Sequence, residues 1–139
     1  MSRLVVVAGF LMAGGCVWGP KVKDHVPAQD GRGLGANVEL KSPAVDGRGS
    51  FLNGELLEVK PAGLVLLVSN KLVYVTFVDI RSARFPHDRS ATIGSRGVDT
   101  TLRERLRLQS RFPQGLSEDV QARLLELHGQ DQIAIVEIE

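Results

Sequence analysis

Apolar positions are densest between Gly49 and Phe85. Four runs rich in β-branched residues fill this span: Ser50–Lys60, Leu64–Ser69, Leu72–Phe77 and Ile80–Phe85. Pro61-Ala62-Gly63, Asn70-Lys71 and Val78-Asp79 separate them. Short apolar runs bounded by two- or three-residue turn signals predict a tight antiparallel meander. Upstream, Asn37 to Lys41 alternates polar and apolar residues and predicts a first, half-exposed strand. Between them, Pro43 and Asp46-Gly47 mark a loop or hairpin tip.

Downstream the period changes from 2 to 3.6. A helix is expected from Thr101, with Glu104 three places later completing a capping box. Leu102 and Leu106, with Leu108 or Gln109, mark its inner side, and Arg103, Arg107 and Arg111 its outer side. Phe112-Pro113-Gln114-Gly115 ends it, because proline disfavours helical geometry in the residue before it. Ser117 caps a second helix whose first turn carries Glu118 and Asp119. Val120, Leu124 and Leu127 form its packing stripe, and Gly129 stops it. Ile133 to Ile138 reads as a final strand suited to covering an open sheet edge.

The fold class expected is therefore mainly β with C-terminal helices (α+β), in one domain over residues 37–139. Gly54 lies inside the long second strand, where a missing side chain permits a bend or bulge. Five short strands, this bend at Gly54-Glu55-Leu56 and the two-residue link at Val78-Asp79 resemble the small five-stranded barrels of the SH3-like and Sm-like folds. The resemblance covers about residues 37 to 85 and implies a closed barrel with two short helices and an edge strand added. It carries no function, since such barrels host many unrelated ones. RNA-binding Sm proteins have Asp and Asn in the loop after the second strand, and Arg-Gly or Lys-Gly before the last two strands. This chain has Lys60-Pro61-Ala62-Gly63 and Ser69-Asn70-Lys71 at those places, so the uridine-binding residues of that family do not carry over.

The first 36 residues have a different character. Arg3 precedes an apolar run from Leu4 to Met12, then come Ala13-Gly14-Gly15 and the single cysteine, Cys16. A run of this length is too short for a hydrocarbon core, which takes about 20 residues, and fits the h-region of a secretory signal. The order of charge, apolar run, small residues and cysteine resembles the signal and lipobox of bacterial lipoproteins. The usual Leu three places before the cysteine is replaced by Ala13. In that family the signal is cut before the cysteine, whose thiol receives a diacylglycerol, and acyl chains such as palmitate hold the protein to a membrane. The resemblance thus makes residues 1–15 a signal peptide and Cys16 the lipid-attachment site. In Gram-negative members an Asp after the cysteine retains the protein at the inner membrane. Val17 stands there in this chain and points to the outer membrane where one exists. Residues 16–36, with two prolines and four glycines, read as a lipidated amino terminus followed by a flexible tether.

Composition changes little in this picture. The 139 residues are 43% hydrophobic and 24% charged, ordinary for a globular chain. A net charge of +1 argues against a strongly basic nucleic-acid binder. Gly31-Arg32-Gly33-Leu34-Gly35 has neither the preceding strand nor the following helix of a dinucleotide loop. His25, His87 and His128 have no metal-ligand spacing, so no metal or other cofactor is expected. His87-Asp88 is the nearest approach to a catalytic pair, but no nucleophile motif accompanies it and no enzymatic activity is expected.

The sharpest remaining feature is a run of eight arginines from Arg81 to Arg111, set against Asp88, Asp99 and Glu104. Arg81, Arg84, Arg103, Arg107 and Arg111 form the candidate anion-binding surface; the alternative is a solvated face whose aliphatic stems cover apolar side chains. No aromatic residues interleave to stack bases. Two functional expectations follow. The first is a lipid-anchored cell-envelope protein facing the periplasm or exterior, a binding or structural module whose partner is an envelope protein or glycan. The second is an Sm-like nucleic-acid binder using the Arg81–Arg111 cluster.

Overall fold

A computed structural model of the chain describes residues 34–41, 50–136 and 138. Residues 1–33, and with them the signal, Cys16 and nearly all of the tether, lie outside the described residues, as does the 42–49 loop. The elements are β1 (Gly35–Leu40), β2 (Phe51–Lys60), β3 (Gly63–Val68), β4 (Lys71–Thr76), a single 3₁₀ turn (Phe77–Asp79), β5 (Ile80–Arg84), β6 (Thr92–Ile93), α1 (Thr100–Gln109), α2 (Glu118–Leu127) and β7 (Ala134–Ile135).

The expected meander forms over β2-β3-β4, while the fourth run, β5, pairs with β1 instead of β4. All seven strands join one sheet in the order β6-β5-β1-β2-β3-β4-β7, antiparallel throughout except for β4 with β7. The protein is thus mainly β with two helices. The sheet is not closed into a barrel: among the described residues no ladder joins its outer strands, β6 and β7. The turn chemistry explains the tight connections. Ser69 and Asn70 both take positive φ (47° and 69°), the two-residue hairpin geometry whose twist matches the strands it joins. The Thr76 hydroxyl donates to Asp79 Oδ2 at 2.8 Å and closes the 3₁₀ turn that leads into β5.

β2 is the long strand on which the two halves of the sheet meet. Phe51 to Glu55 pair with β1, and Gly54 to Lys60 pair with β3. Its register shifts between Leu56 and Glu58, leaving Leu57 as the extra residue. The irregularity therefore falls just after Gly54 rather than on it. Gly54 serves a different need: a Cβ there would run into the backbone carbonyl of Leu67, whose carbon lies 2.9 Å away.

The bulge reverses the alternation of side chains, and two cores result. Leu52, Leu56 and Val59 face the first, with Val38, Leu64, Leu66, Val75, Ile80, Ala83, Phe85, Ile93 and Leu106 of α1. Leu57 faces the second, with Val65, Leu72 and Leu125 of α2. β3 is apolar at every position because it contributes to both. The segment between the helices is pinned to the bulge, with Arg111 N–H donating to Leu56 O (3.1 Å) and Phe112 N–H to Leu57 O (2.9 Å).

The helices depart from expectation in detail. α1 starts one residue early because Asp99, not Thr101, is its cap, accepting from Leu102 N–H at 2.7 Å. Glu104 is turned to Arg107 instead of closing a capping box. Gln109, not Leu108, completes the inner face. In α2, Ser117 caps as expected, but Leu125 is the buried residue and Leu127 is 75% exposed. The second core lies one position round the helix from the expected stripe. Gly129, at φ 65°, ends α2, with Gln130 N–H donating to Leu125 O. The Gln130 side chain then clips both backbone groups of Leu72. This clip carries the chain to β7, which does cover the β4 edge, although with two residues and in parallel.

Gly54→Ala is expected to cost about 2–3 kcal/mol, since the added methyl meets backbone that cannot move without breaking the β2–β3 ladder. Gly94→Ala, with open space at its Cβ position, is the near-neutral control. Urea midpoints of the two variants check this, and equal midpoints would refute it.

Candidate functional site

The arginine run folds into two groups. The first group is bound internally, and its centre is Asp88, which is 9% exposed. Arg105 grips the Asp88 carboxylate with both arms of its guanidinium, Nε to Oδ2 at 2.7 Å and Nη2 to Oδ1 at 2.9 Å. Gln109 Nε2 donates to Oδ2 at 2.7 Å, and Ser90 donates to Oδ1 through both its amide and its hydroxyl. Arg105 and Gln109 stand four residues apart on α1, so one helix face closes on the loop after β5. Burial by itself raises the Asp88 pKa; the hydrogen bonds from Arg105, Gln109 and Ser90, with the Arg105 charge, more than reverse this and hold it at about 2.

The remaining helix arginines act similarly. Arg107 binds Glu104 (Nη2 to Oε2, 2.9 Å) and donates through Nη1 to Pro113 O at 2.7 Å. Its hydrogen bonds to Glu104 lower the Glu104 pKa and raise its own. Arg103 reaches Pro61 O at 3.3 Å, across the β2–β3 turn. Arg111 lies 3.8 Å from Glu55 Oε2 and 5.6 Å over the Phe112 ring. Arg81 makes a long contact with Glu39, at 3.5 Å. Of the five arginines expected to form an anion-binding surface, Arg81, Arg103, Arg107 and Arg111 thus have partners within the domain.

The second group is Arg84, Arg89 and Arg96. All three are exposed, and their side chains make no hydrogen bond or ion pair among the described residues. Arg84 ends β5 and pairs across the ladder with Thr92 of β6; Arg89 and Arg96 lie in the turns before and after β6. Three of the unpartnered arginines therefore lie together at one sheet edge; Arg123 on α2, with Lys41 and Lys71, lies elsewhere. Sequence reasoning singled out Arg84 and passed over the other two, because the run looked like a single cluster until Arg105 was seen to face inward.

His87 and Asp88 do not form a pair; Asp88 is taken up by Arg105, Gln109 and Ser90, while His87 is exposed beside Gly35. His128 closes α2 by donating its backbone N–H to Leu124 O and Glu126 O. Among the described residues no three His, Cys, Asp or Glu side chains gather as metal ligands. No described helix is long and apolar enough to cross a membrane. The polar side chain of Gln109 at an otherwise apolar face was the available sign of the Asp88 clamp, but nothing in the sequence chose Asp88 over Asp79 or Asp99 as its partner.

Comparison with protein-family models, with curated proteins and with solved structures found no match for this chain.

Asp88→Asn should lower stability at neutral pH by about 2 kcal/mol, the equivalent of a shift from 3.8 to about 2. A depressed pKa stabilises the fold above the unfolded-state value, and the effect is lost as pH falls toward the folded value. The gap between wild type and variant should therefore close between about pH 4 and pH 2. Urea titrations across that range measure it; a gap independent of pH would show that the clamp is not charge-based.

Proposed function

We propose that this chain is a lipid-anchored cell-envelope protein, held by acyl chains on Cys16, in which the sheet domain serves as a binding or structural module. The carrying observation is the order Arg3, Leu4–Met12, Ala13-Gly14-Gly15, Cys16, four features in the sequence required for export and thiol acylation. Each buried CH₂ of an acyl chain contributes about 0.8 kcal/mol, so two or three chains anchor firmly. The described domain starts at Leu34, well separated along the chain from the anchor. We read its five central strands, β5-β1-β2-β3-β4, as a small barrel of the SH3-like or Sm-like kind left open at its edges. The strand order, the long bulged second strand and the 3₁₀ turn before β5 support that reading. The partners that fit this setting are the membrane and an envelope protein or glycan. The nucleic-acid reading loses support, since most of the arginines it would use are bonded within the domain.

The intact mass of the protein isolated from cells tests the anchor. The expected mass is that of a chain beginning at Cys16 with acyl groups added, found in the membrane fraction. Cys16→Ser should leave the chain uncut and without acyl mass. A wild-type chain that keeps residues 1–15 and carries no acyl group would overturn the proposal.

A further inference from the structure

We infer that the β5–β6 edge, carrying Arg84, Arg89 and Arg96, is a docking surface for an anionic lipid bilayer. This rests on the anchored reading above and adds to it the face that the domain turns toward the membrane.

Three observations carry it. The first is the charge left over after internal pairing. Arg105 neutralises the one carboxylate within the β5–β6 connection, Asp88, in a buried clamp, so the exposed charge without an internal partner at this edge is that of Arg84, Arg89 and, just after β6, Arg96. The nearest exposed carboxylate along the chain, Asp99, is turned to the first turn of α1. The second is polarity across the sheet. β6 is one outer strand and β7 the other. α2 packs against β4, and among the described residues from Glu118 onward four acidic residues, Glu118, Asp119, Glu126 and Asp131, meet one basic one, Arg123, with Lys71 at the start of β4 the other cation on that side. Negative charge is thus gathered toward the β7 side, which an anionic surface repels. The third is where the chain enters the domain. β1 is hydrogen-bonded to β5, with Asn37 opposite Arg84, so Gly35 lies alongside the turn after β5. A Cβ placed on Gly35 would sit 3.4 Å from Nδ1 of His87, a residue of that turn. The segment from Cys16 therefore joins the domain at its basic edge. Seventeen residues lie between Cys16 and Leu34, eighteen steps along the chain, so even a fully extended segment holds this edge within about 60 Å of the lipid.

Each basic side chain close to an anionic membrane surface favours the bound form by about 1 kcal/mol, close to fivefold, so three arginines shift the docked-to-free ratio on the order of 100-fold. The attraction fades within a Debye length, about 8 Å at physiological salt.

The test is hydrogen exchange on the chain as isolated from cells, mixed with vesicles of phosphatidylcholine alone or with about a third phosphatidylglycerol. Amides of residues 86–97 should exchange at least fivefold more slowly on the anionic vesicles, and high salt should remove the difference. The triple variant Arg84→Gln, Arg89→Gln, Arg96→Gln should lose the protection; these side chains are exposed and make no internal bond, so the fold should be kept. Equal exchange on both vesicles, or protection that survives in the triple variant, would overturn the proposal. So would protection given by a soluble polyanion such as dextran sulfate but not by vesicles, which would assign the edge to an acidic polymer. The mass of the same sample scores the anchor separately, and an unacylated chain still reads out whether the edge meets anionic lipid.

Discussion

Everything in this domain is arranged around one extra residue in β2. A strand with strict alternation presents one face to one core. By inserting Leu57 between Leu56 and Glu58, β2 sends Leu56 and Val59 to one side while Leu57 goes to the other. Burying a leucine contributes about 1.5–3 kcal/mol, so consecutive buried leucines on opposite faces are a substantial reason for the sheet to be covered on both. The carbonyls of Leu56 and Leu57 then receive Arg111 and Phe112, which carry the chain from α1, against the first core, to α2, against the second. The bulge thus decides where the helices can lie.

The same constraint assigns most of the arginines. A segment that passes from one core to the other has irregular backbone, whose carbonyls need donors. Arg107 supplies one to Pro113 of that segment, and Arg103 supplies another to Pro61 in the β2–β3 turn. Arg105 ties α1 to the loop after β5 through Asp88, so that the first core is closed at that end. Arginine suits these tasks because its planar fork meets a carboxylate with two bonds at once and remains charged when partly buried. Two costs remain: among the described residues, Glu58 Oε2 and Gln109 Oε1 are buried without a hydrogen-bond partner, the former only 3.6 Å from the Lys60 ammonium.

Strands, turns and the cap of α2 were legible from local chemistry, although the local cap of α1, Asp99, was not. The alternation of Asn37–Leu40, the Ser69-Asn70 turn, the Ser117 cap and the Gly129 stop all act within a few positions of themselves. Features set by distant partners were not. β6 is two residues in a polar loop and exists because β5 offers Ala83 and Arg84 an open ladder. Leu125 displaced Leu127 because the second core, built on Leu57, Val65 and Leu72, sets the rotation of α2. Nothing near Leu125 in the chain carries that information. The Asp88 clamp is of the same type, joining residues seventeen positions apart. Closure of the sheet also lay beyond local pattern, since whether two edges meet depends on accumulated twist rather than on any single turn.

The domain has an electrostatic asymmetry that the sequence totals conceal. Behind a net charge of +1, three arginines without an internal partner, Arg84, Arg89 and Arg96, lie beside one outer strand, β6, while α2, packed on the far side against β4, carries Glu118, Asp119 and Glu126 against Arg123. Such a distribution acts as a dipole, and near a charged surface a dipole orients even when its net charge is small. Internal pairing sharpens it: with Arg103, Arg105, Arg107 and Arg111 bound within the fold, the positive end is narrowed to the strand edge beside the point where the chain enters. In the anchored arrangement proposed above, orientation and attachment would act along the same axis, and the far edge of the sheet, with the exposed Leu127 and Ile135, would face away from the bilayer.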